Sequence, residues 1–378
     1  MYSGKFYVVI ISAVLAFLTS CAGGGTTSAL EGTEAVSMKY ARLLTLHEGE
    51  GFISAEIKNP WDTTKILHRY VLVPKGQEKE LPEHLPKGDV IGIPLSHSVF
   101  GGSVHIGLID QLGAYSSVSG VCDLKFMNIE KIHTDAKNGK IHDCGSSLSP
   151  DIETIIDVAP DAILLSPFEN SGSYGKLGKL GIPLIECAEY METSPLGCAE
   201  WMRFYGLLFG KQREADSLFA SIEKEYNQLK TLVKGKRRPT VVTEKKYGAA
   251  WYVAGAGSTV GQMLADAGAD YIFEDEKSSG ALPYDPETVF DRAQQAQIWL
   301  IKYNQEKPLT YSQLSREWTN YTRMEAFRNR NIYGCDLGKT MYYEETPFHP
   351  NLLLKDYIKI FHPEILKDYK LRYYKCLE

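Results

Sequence analysis

The sequence predicts an α/β protein: two Rossmann-like lobes joined by one long α-helix, with a ligand cleft between the lobes. Three observations predict it. First, one twelve-residue pattern occurs twice, running from Asp151 through Glu153, Thr154, Asp157 and Ala159 to Ala162, and again from Asp285 through Glu287, Thr288, Asp291 and Ala293 to Ala296. Each copy runs into an apolar strand, Ile163-Leu164-Leu165 and Ile298-Trp299-Leu300-Ile301. A spacing this long is not a solenoid period and implies two similar lobes, each with a short helix feeding a buried strand. Second, strand-like runs alternate with helical ones, the pattern of parallel sheets. Third, between the two copies lies the longest clean helix of the chain. Ala215, Leu218, Phe219, Ile222, Tyr226, Leu229 and Val233 fall at three- and four-residue steps, one apolar stripe about 30 Å long.

The elements follow in order. Residues 1–21 read as an export signal. Lys5 is the positive end, Phe6–Leu18 an apolar run too short to span a membrane comfortably, and Leu18-Thr19-Ser20-Cys21 a lipobox that leaves Cys21 as the acylated N-terminus. Residues 22–36 are a flexible Gly- and Thr-rich tether. Residues 37–86 form a β-rich extension with short strand-like runs at 41–46, 52–57 and 68–73, punctuated by Asn59-Pro60 and by Pro74-Lys75-Gly76. The N-terminal lobe takes 87–211. Its first strand is read at Val90–Ile93, followed by a Ser-, His- and Gly-rich loop from Pro94 to Gly102, and by a helix over 105–112 with Ser103 as N-cap and Gly113 as stop. Residues 212–235 are the joining helix and 236–378 the C-terminal lobe, with strands at 240–243 and 251–253, a helix over 258–267, and a helix from Asn351 to Phe361 before Pro363.

The 378 residues suit about two domains, and 44% hydrophobic with 23% charged residues describes a folded chain. A net charge of −6 argues against nucleic acid as a partner, because binding a phosphate backbone needs a basic face. After Cys21 there remain Cys122, Cys144, Cys187, Cys198, Cys335 and Cys376. Their spacing fits no zinc or CxxC pattern, so we expect buried or partly free thiols with at most one or two bridges.

The lipobox, the two αβ lobes and the single long helix resemble the class III solute-binding lipoproteins of ABC importers, which bind iron–siderophores, haem or cobalamin. Further stretches agree: Glu189-Tyr190, Ser194-Pro195-Leu196, Ala199-Glu200-Trp201, Gly255-Ala256-Gly257-Ser258 and Asp266-Ala267-Gly268. The resemblance covers roughly residues 88–365 and leaves the extension outside it. It implies a periplasmic, membrane-anchored protein, no enzyme, that captures a metal chelate. An iron–siderophore or haem comes first and a corrinoid such as cobalamin second. Its partners would be an ABC permease dimer with its ATPase, the membrane through the lipid, and an outer-membrane receptor. It also implies that Glu153 and Glu287, matching places in the repeat, dock on permease arginines. Two helix-start carboxylates would be favoured there by the dipole in any case.

Ligands of open α/β sheets sit at the carboxyl ends of the strands. On that rule the N-terminal lobe contributes Ser96, His97, Phe100, Phe168 and Tyr174, and the C-terminal lobe Tyr247, Trp251, Tyr252, Tyr284 and Tyr303. Flat aromatics suit a porphyrin, a corrin or an aromatic siderophore, although singly each aromatic is more often a packing residue. Two features depart from the family's pattern: cobalamin-lining tryptophans and paired arginines for anionic siderophores are missing from the matching loops. No residue set is assigned to a metal or resident cofactor, because the nine histidines are scattered. An exported α/β enzyme is the alternative of another class. Gly255-x-Gly257-x-x-x-Gly261 with Asp275 imitates a dinucleotide fingerprint, but an exported protein meets little NAD, and the chain has neither Gly-x-Ser-x-Gly nor His-Glu-x-x-His.

Overall fold

The computed structural model describes residues 33–77, 85–169 and 174–378. The signal segment, Cys21 and most of the tether lie outside the described residues. The last tether residues do not hang free: Glu34–Val36 is strand β1, paired antiparallel with β2.

The N-terminal extension is a five-stranded sheet in the order β1-β2-β3-β4-β5, with β2 Leu44–Gly49, β3 Phe52–Lys58, β4 Ile66–Pro74 and β5 Asp89–Ile93. Alternation along β4 sends Tyr70 and Leu72 into the main core, while Val71 and Val73 pack with Phe52 on the other face. The stretch Val90–Ile93 thus corrects the sequence reading. It pairs parallel with β4 and completes the extension, so it is not the lobe's first strand. That strand is β6, Ser98–Phe100, inside the stretch read as a loop. Three residues headed by a serine are too few to show periodicity.

Two buried glutamates tie the extension to the lobe. Glu200 accepts the backbone N–H groups of Lys39, Tyr40 and Ala41 at 2.8, 2.7 and 2.8 Å. Glu192 accepts those of Arg42 and Leu43 at 3.0 and 2.9 Å, and the Trp201 Nε1–H at 2.9 Å. Each carboxylate thereby satisfies several donors that burial would otherwise leave unpaired.

In the N-terminal lobe β6 is followed by α1 (Val104–Gln111), β7 (Val118–Val121), α2 (Glu130–Lys137), β8 (His142–Asp143), the small β9–β10 ribbon (Gly145–Ser146, Ser149–Pro150), α3 (Ile152–Val158), β11 (Ala162–Leu165) and β12 (Leu184–Glu186). The sheet runs β12-β11-β6-β7-β8, parallel throughout. Helices α4 (Pro195–Glu200) and α5 (Met202–Leu208) lead to α6 (Gln212–Leu232), the long joining helix. Its stripe Ala215, Phe219, Ile222, Tyr226 and Leu229 is buried, as the spacing requires. A Cβ on Gly206 would stand 2.6 Å from that of Ala215, so α5 and α6 touch only because residue 206 has none.

The C-terminal lobe contains β13 (Thr240–Thr243), β14 (Lys246–Tyr247), β15 (Ala250–Ala254), α7 (Thr259–Asp266), β16 (Asp270–Tyr271), β17 (Ala281–Tyr284), α8 (Pro286–Ala293), β18 (Ile298–Tyr303), α9 (Tyr311–Glu317), α10 (Glu325–Arg328), β19 (Ile332–Asp336), α11 (Tyr342–Glu345), α12 (Pro350–Phe361) and β20 (Tyr374–Cys376). Its main sheet is β16-β13-β18-β19-β20, parallel except for β20, and β14-β15-β17 form a separate antiparallel sheet beside it. Helix α6 is fixed to this lobe by polar pairs: Lys230 and the Tyr226 hydroxyl each lie 2.8 Å from Asp266, and Lys355 lies 2.5 Å from Glu225. The six described cysteines are all free thiols, with Cys376 alone among them exposed, so no bridge forms.

Candidate functional site between the lobes

Both copies of the repeat become the same local structure. Asp151 caps α3 and accepts the Glu153 N–H at 3.1 Å, and Asp285 caps α8 and accepts the Glu287 N–H at 2.9 Å. Each helix precedes a central parallel strand, so each start lies at the carboxyl edge of its sheet. Glu153 and Glu287 are both exposed there, Glu287 with Asn320 Nδ2 at 3.4 Å.

The two carboxyl edges face one another. Asn128, in the segment after β7, donates from Nδ2 to the carbonyls of Leu337 and Thr340, 3.0 Å each, and its N–H reaches Glu344 at 2.9 Å. On another flank the Thr259 hydroxyl, opening α7, donates to the Glu192 carbonyl beyond β12 at 2.7 Å. Between these struts the strand-end loops border the cleft. A cavity of about 650 Å³ lies at the N-terminal lobe's edge, lined by Gly101, Cys122, Leu148, Leu165, Phe168 and Tyr190 among others. Burial, with the neighbouring Cys144 and acidic groups in addition, pushes the Cys122 thiol up to about 12, so it presents a neutral, weakly polar wall.

The expected site residues divide. Phe168 is half exposed and Tyr174 lines the same cavity. Tyr247 and Tyr252 are exposed in the second lobe, and Tyr303 is half-buried at the end of β18. Tyr284 turns its hydroxyl onto Glu276 at 2.9 Å and packs on Phe273, with ring centroids 5.0 Å apart. Four residues are corrected. Ser96 and His97 precede β6 and so lie at the amino edge, away from the cleft, where their backbone N–H groups bond Asp161 at 2.6 and 3.0 Å. The cause is the misplaced first strand: taking β5 for β6 puts the following loop at the wrong end. Phe100 is buried, packed on Phe209 at 6.0 Å. Trp251 is also buried, with its Nε1 donating to the Thr243 carbonyl at 3.0 Å and its ring 5.9 Å from Trp299. Adjacent residues of a strand point to opposite faces, so Trp251 enters the core where Tyr252 leaves it.

Sequence reasoning missed Cys122, Leu148 and Tyr190. The carboxyl-edge rule would have found Cys122 had Val118–Val121 been read as a strand. Tyr190 stood in the quoted Glu189-Tyr190 stretch, and nothing there marked which of the two faces outward.

Among the described residues, one group carries metal-ligand chemistry: His105, Cys187 and Glu189, with ligand atoms within 4.8 Å of one another and all three buried. His105 Nε2 already lies 2.8 Å from Glu189, whose other oxygen accepts the Tyr205 hydroxyl at 2.8 Å. Burial alone would lower the imidazole, but Cys187 and Glu189 outweigh it and raise it to about 10. Glu189 is held below its usual range because His105 and Tyr205 offset its burial. The cluster is an ion pair joining α1 to the segment after β12.

Two facing lobes on one long helix, with their strand ends across a cleft, define a two-lobed α/β binding protein. The family described as periplasmic binding protein matches residues 124–337, more than half of the chain, and the protein belongs to that family. The uncharacterized lipoprotein MJ0878 of Methanocaldococcus jannaschii is 27% identical over 361 residues, covering 89% of this chain and 84% of its own. The molybdate periplasmic binding protein MolA of Haemophilus influenzae superposes with a TM-score of 0.58 at 16% identity, covering 74% of this chain and 90% of its own. The periplasmic heme-binding protein RhuT of Roseiflexus sp. RS-1 gives 0.55 at 20% identity, covering 71% and 98%. No helix among the described residues is long and apolar enough to cross a membrane.

Proposed function

We propose that the protein is the lipid-anchored substrate-binding component of an ABC import system, acylated at Cys21, that captures an iron–siderophore or haem and delivers it to a permease dimer with its ATPase. One observation carries the choice of ligand class. Of the eleven exposed large apolar side chains among the described residues, seven lie toward the facing edges, Phe126, Leu148, Phe168 and Tyr190 on one lobe and Tyr247, Tyr252 and Tyr343 on the other, while Ile66, Val90, Ile156 and Leu232 lie elsewhere. Apolar groups left in water and concentrated on one site mark a binding surface, and aromatic rings fit the flat faces of a chelate. A small oxyanion or sugar would call instead for converging polar donors. The structural neighbour RhuT is a heme binder, which agrees with this choice, while MolA shows that the same architecture accepts other ligands. Glu153 and Glu287, exposed at matching edges, supply the permease contact under this reading.

Native mass spectrometry of the protein with haem, cobalamin and a panel of ferric siderophores tests it. A single chelate should be retained, and Phe168→Ala and Tyr252→Ala should each weaken its retention. Retention of none of them, with binding of a bare oxyanion or sugar, overturns the ligand class.

A further inference from the structure

Helix α11 of the C-terminal lobe packs against α1 of the N-terminal lobe and closes one flank of the cleft. A Cβ on Gly107 would stand 2.9 Å from the Glu344 carbonyl oxygen, so the two helices meet this closely only because residue 107 has none. The Asn128 strut lies at the same joint. Its Nδ2 bonds to the carbonyls of Leu337 and Thr340 run from one lobe to the other and hold the joint shut.

Glu344 is the informative residue. It is 3% exposed. Its Oε1 accepts the Asn128 N–H at 2.9 Å, and its Oε2 is buried without any hydrogen-bond partner. Among the described residues no ion pair reaches either oxygen. The contrast with the buried glutamates of the N-terminal lobe is sharp. Glu189, Glu192 and Glu200 each have both carboxylate oxygens bonded. A buried carboxylate oxygen left without a donor is costly, and such atoms call for an explanation. Here the cost falls on the joined state alone. Once α11 and α1 separate far enough to admit water, Oε2 is hydrated and the cost lapses. The same contact therefore carries a clasp, the Asn128 amide, and a group that opposes it.

We propose that the α1–α11 joint is a releasable latch between the lobes: Asn128 holds it shut, and the unsatisfied Glu344 carboxyl group biases it toward parting while α6 keeps the lobes attached. A flank that parts gives a bound molecule a way out of the cleft, and only this last use rests on the transport reading. Local opening of this kind is a two-state equilibrium that amide exchange reads directly.

Hydrogen exchange of the full, ligand-free chain decides the matter, read at the Asn128 amide and, for the lobe's core, at the Cys122 amide that bonds the Phe100 carbonyl at 2.8 Å. The Asn128 amide should exchange well ahead of that of Cys122, because the joint opens without unfolding the lobe. Glu344→Gln keeps the shape and the acceptor for the Asn128 N–H but removes the unpaired carboxylate. It should raise the melting temperature and slow exchange at Asn128 about tenfold. Asn128→Ala keeps the backbone N–H and loses both carbonyl bonds, and it should speed exchange at position 128 by a similar factor. The measurement uses no ligand, so its failure and the failure of the transport reading are separate results. Exchange of Asn128 only together with Cys122, a Glu344→Gln protein that melts earlier than the native one, or exchange at position 128 indifferent to both variants overturns the proposal.

Discussion

In the N-terminal lobe the strand ends open onto a cavity, whereas in the C-terminal lobe they close on themselves. The first lobe leaves Leu148, Phe168 and Tyr190 in solvent around 650 Å³ of space. The second turns its large rings inward. Trp251, Trp299, Trp318 and Tyr321 pack with centroids between 4.8 and 6.5 Å, mostly edge to face, and Trp299 Nε1 donates to the Glu244 carbonyl at 2.5 Å. Glu244 in turn pairs with Lys302 at the end of β18, and that contact outweighs burial and keeps the ammonium charged. The two edges share a helix-start repeat on sheets of different strand order, yet one holds a cavity and the other a packed platform carrying Tyr247 and Tyr252. The repeat therefore transmits a helix start and not the chemistry of the edge it stands on.

Breaking the platform should have the largest effect. Trp251→Ala removes a wholly buried indole from the tryptophan cluster and should lower stability by about 3–5 kcal/mol in denaturant unfolding. Chelate affinity of the folded fraction should stay unchanged. A stable variant that loses ligand would return Trp251 to the cleft and erase the contrast between the lobes.

The N-terminal lobe's own buried pair comes next. Glu189→Gln strands the His105 imidazolium and should cost about 3 kcal/mol near pH 6. The sign follows from the two groups. His105 is raised from 6.5 to about 10, so its contribution is complete below pH 6.5 and fades as pH climbs through 10. Glu189 is lowered from 4.5, so its contribution is present above 4.5 and lost as pH falls through its folded value. The stability gap between native and variant protein should be widest between about pH 4.5 and 6.5 and shrink toward pH 10. A gap flat across that range would show the pair is not ionised.

Ligand affinity sharpens the comparison with a smaller change. Phe168→Ala should weaken chelate binding by about 1–2 kcal/mol, as for a truncated aromatic anchor, and leave the melting temperature nearly unmoved because the ring is half exposed. Tryptophan-quench titration gives the affinity, and calorimetry gives the melt. An intact affinity would move the binding edge to the other lobe.

The smallest effect on the isolated protein is expected at the repeat itself. Glu153→Lys and Glu287→Lys, both exposed, should change stability by no more than about 1 kcal/mol and leave ligand affinity intact, while cutting cellular uptake and weakening permease binding more as salt rises. Uptake that survives the double reversal rejects docking through these carboxylates.

Local patterns were legible in the sequence. Periodicity gave α6 with its stripe, and the Asp-x-Glu-Thr signature gave the starts of α3 and α8, because caps and amphipathic spacing are set by neighbours a few residues apart. Alternation and the repeat led to two α/β lobes, and the resemblance of those lobes, the long helix and the lipobox to class III solute-binding lipoproteins led to the binding-protein fold. Long-range pairing was not legible. Val90–Ile93 looks like any buried parallel strand, and only its register with β4 assigned it to the extension, which moved Ser96 and His97 to the wrong edge of the site. The inward turn of Trp251 and the outward turn of Tyr252 depend on which face of β15 the tertiary structure covers. The backbone clamp of Glu192 and Glu200 joins residues some 150 to 160 positions apart, and Glu186 meets His68 only where β12 meets the extension. Propensity and capping act within a turn or two of the chain, so the sequence alone determined the elements. Burial and electrostatics act between segments brought together by folding, and so only the tertiary structure decided which of those elements form a site.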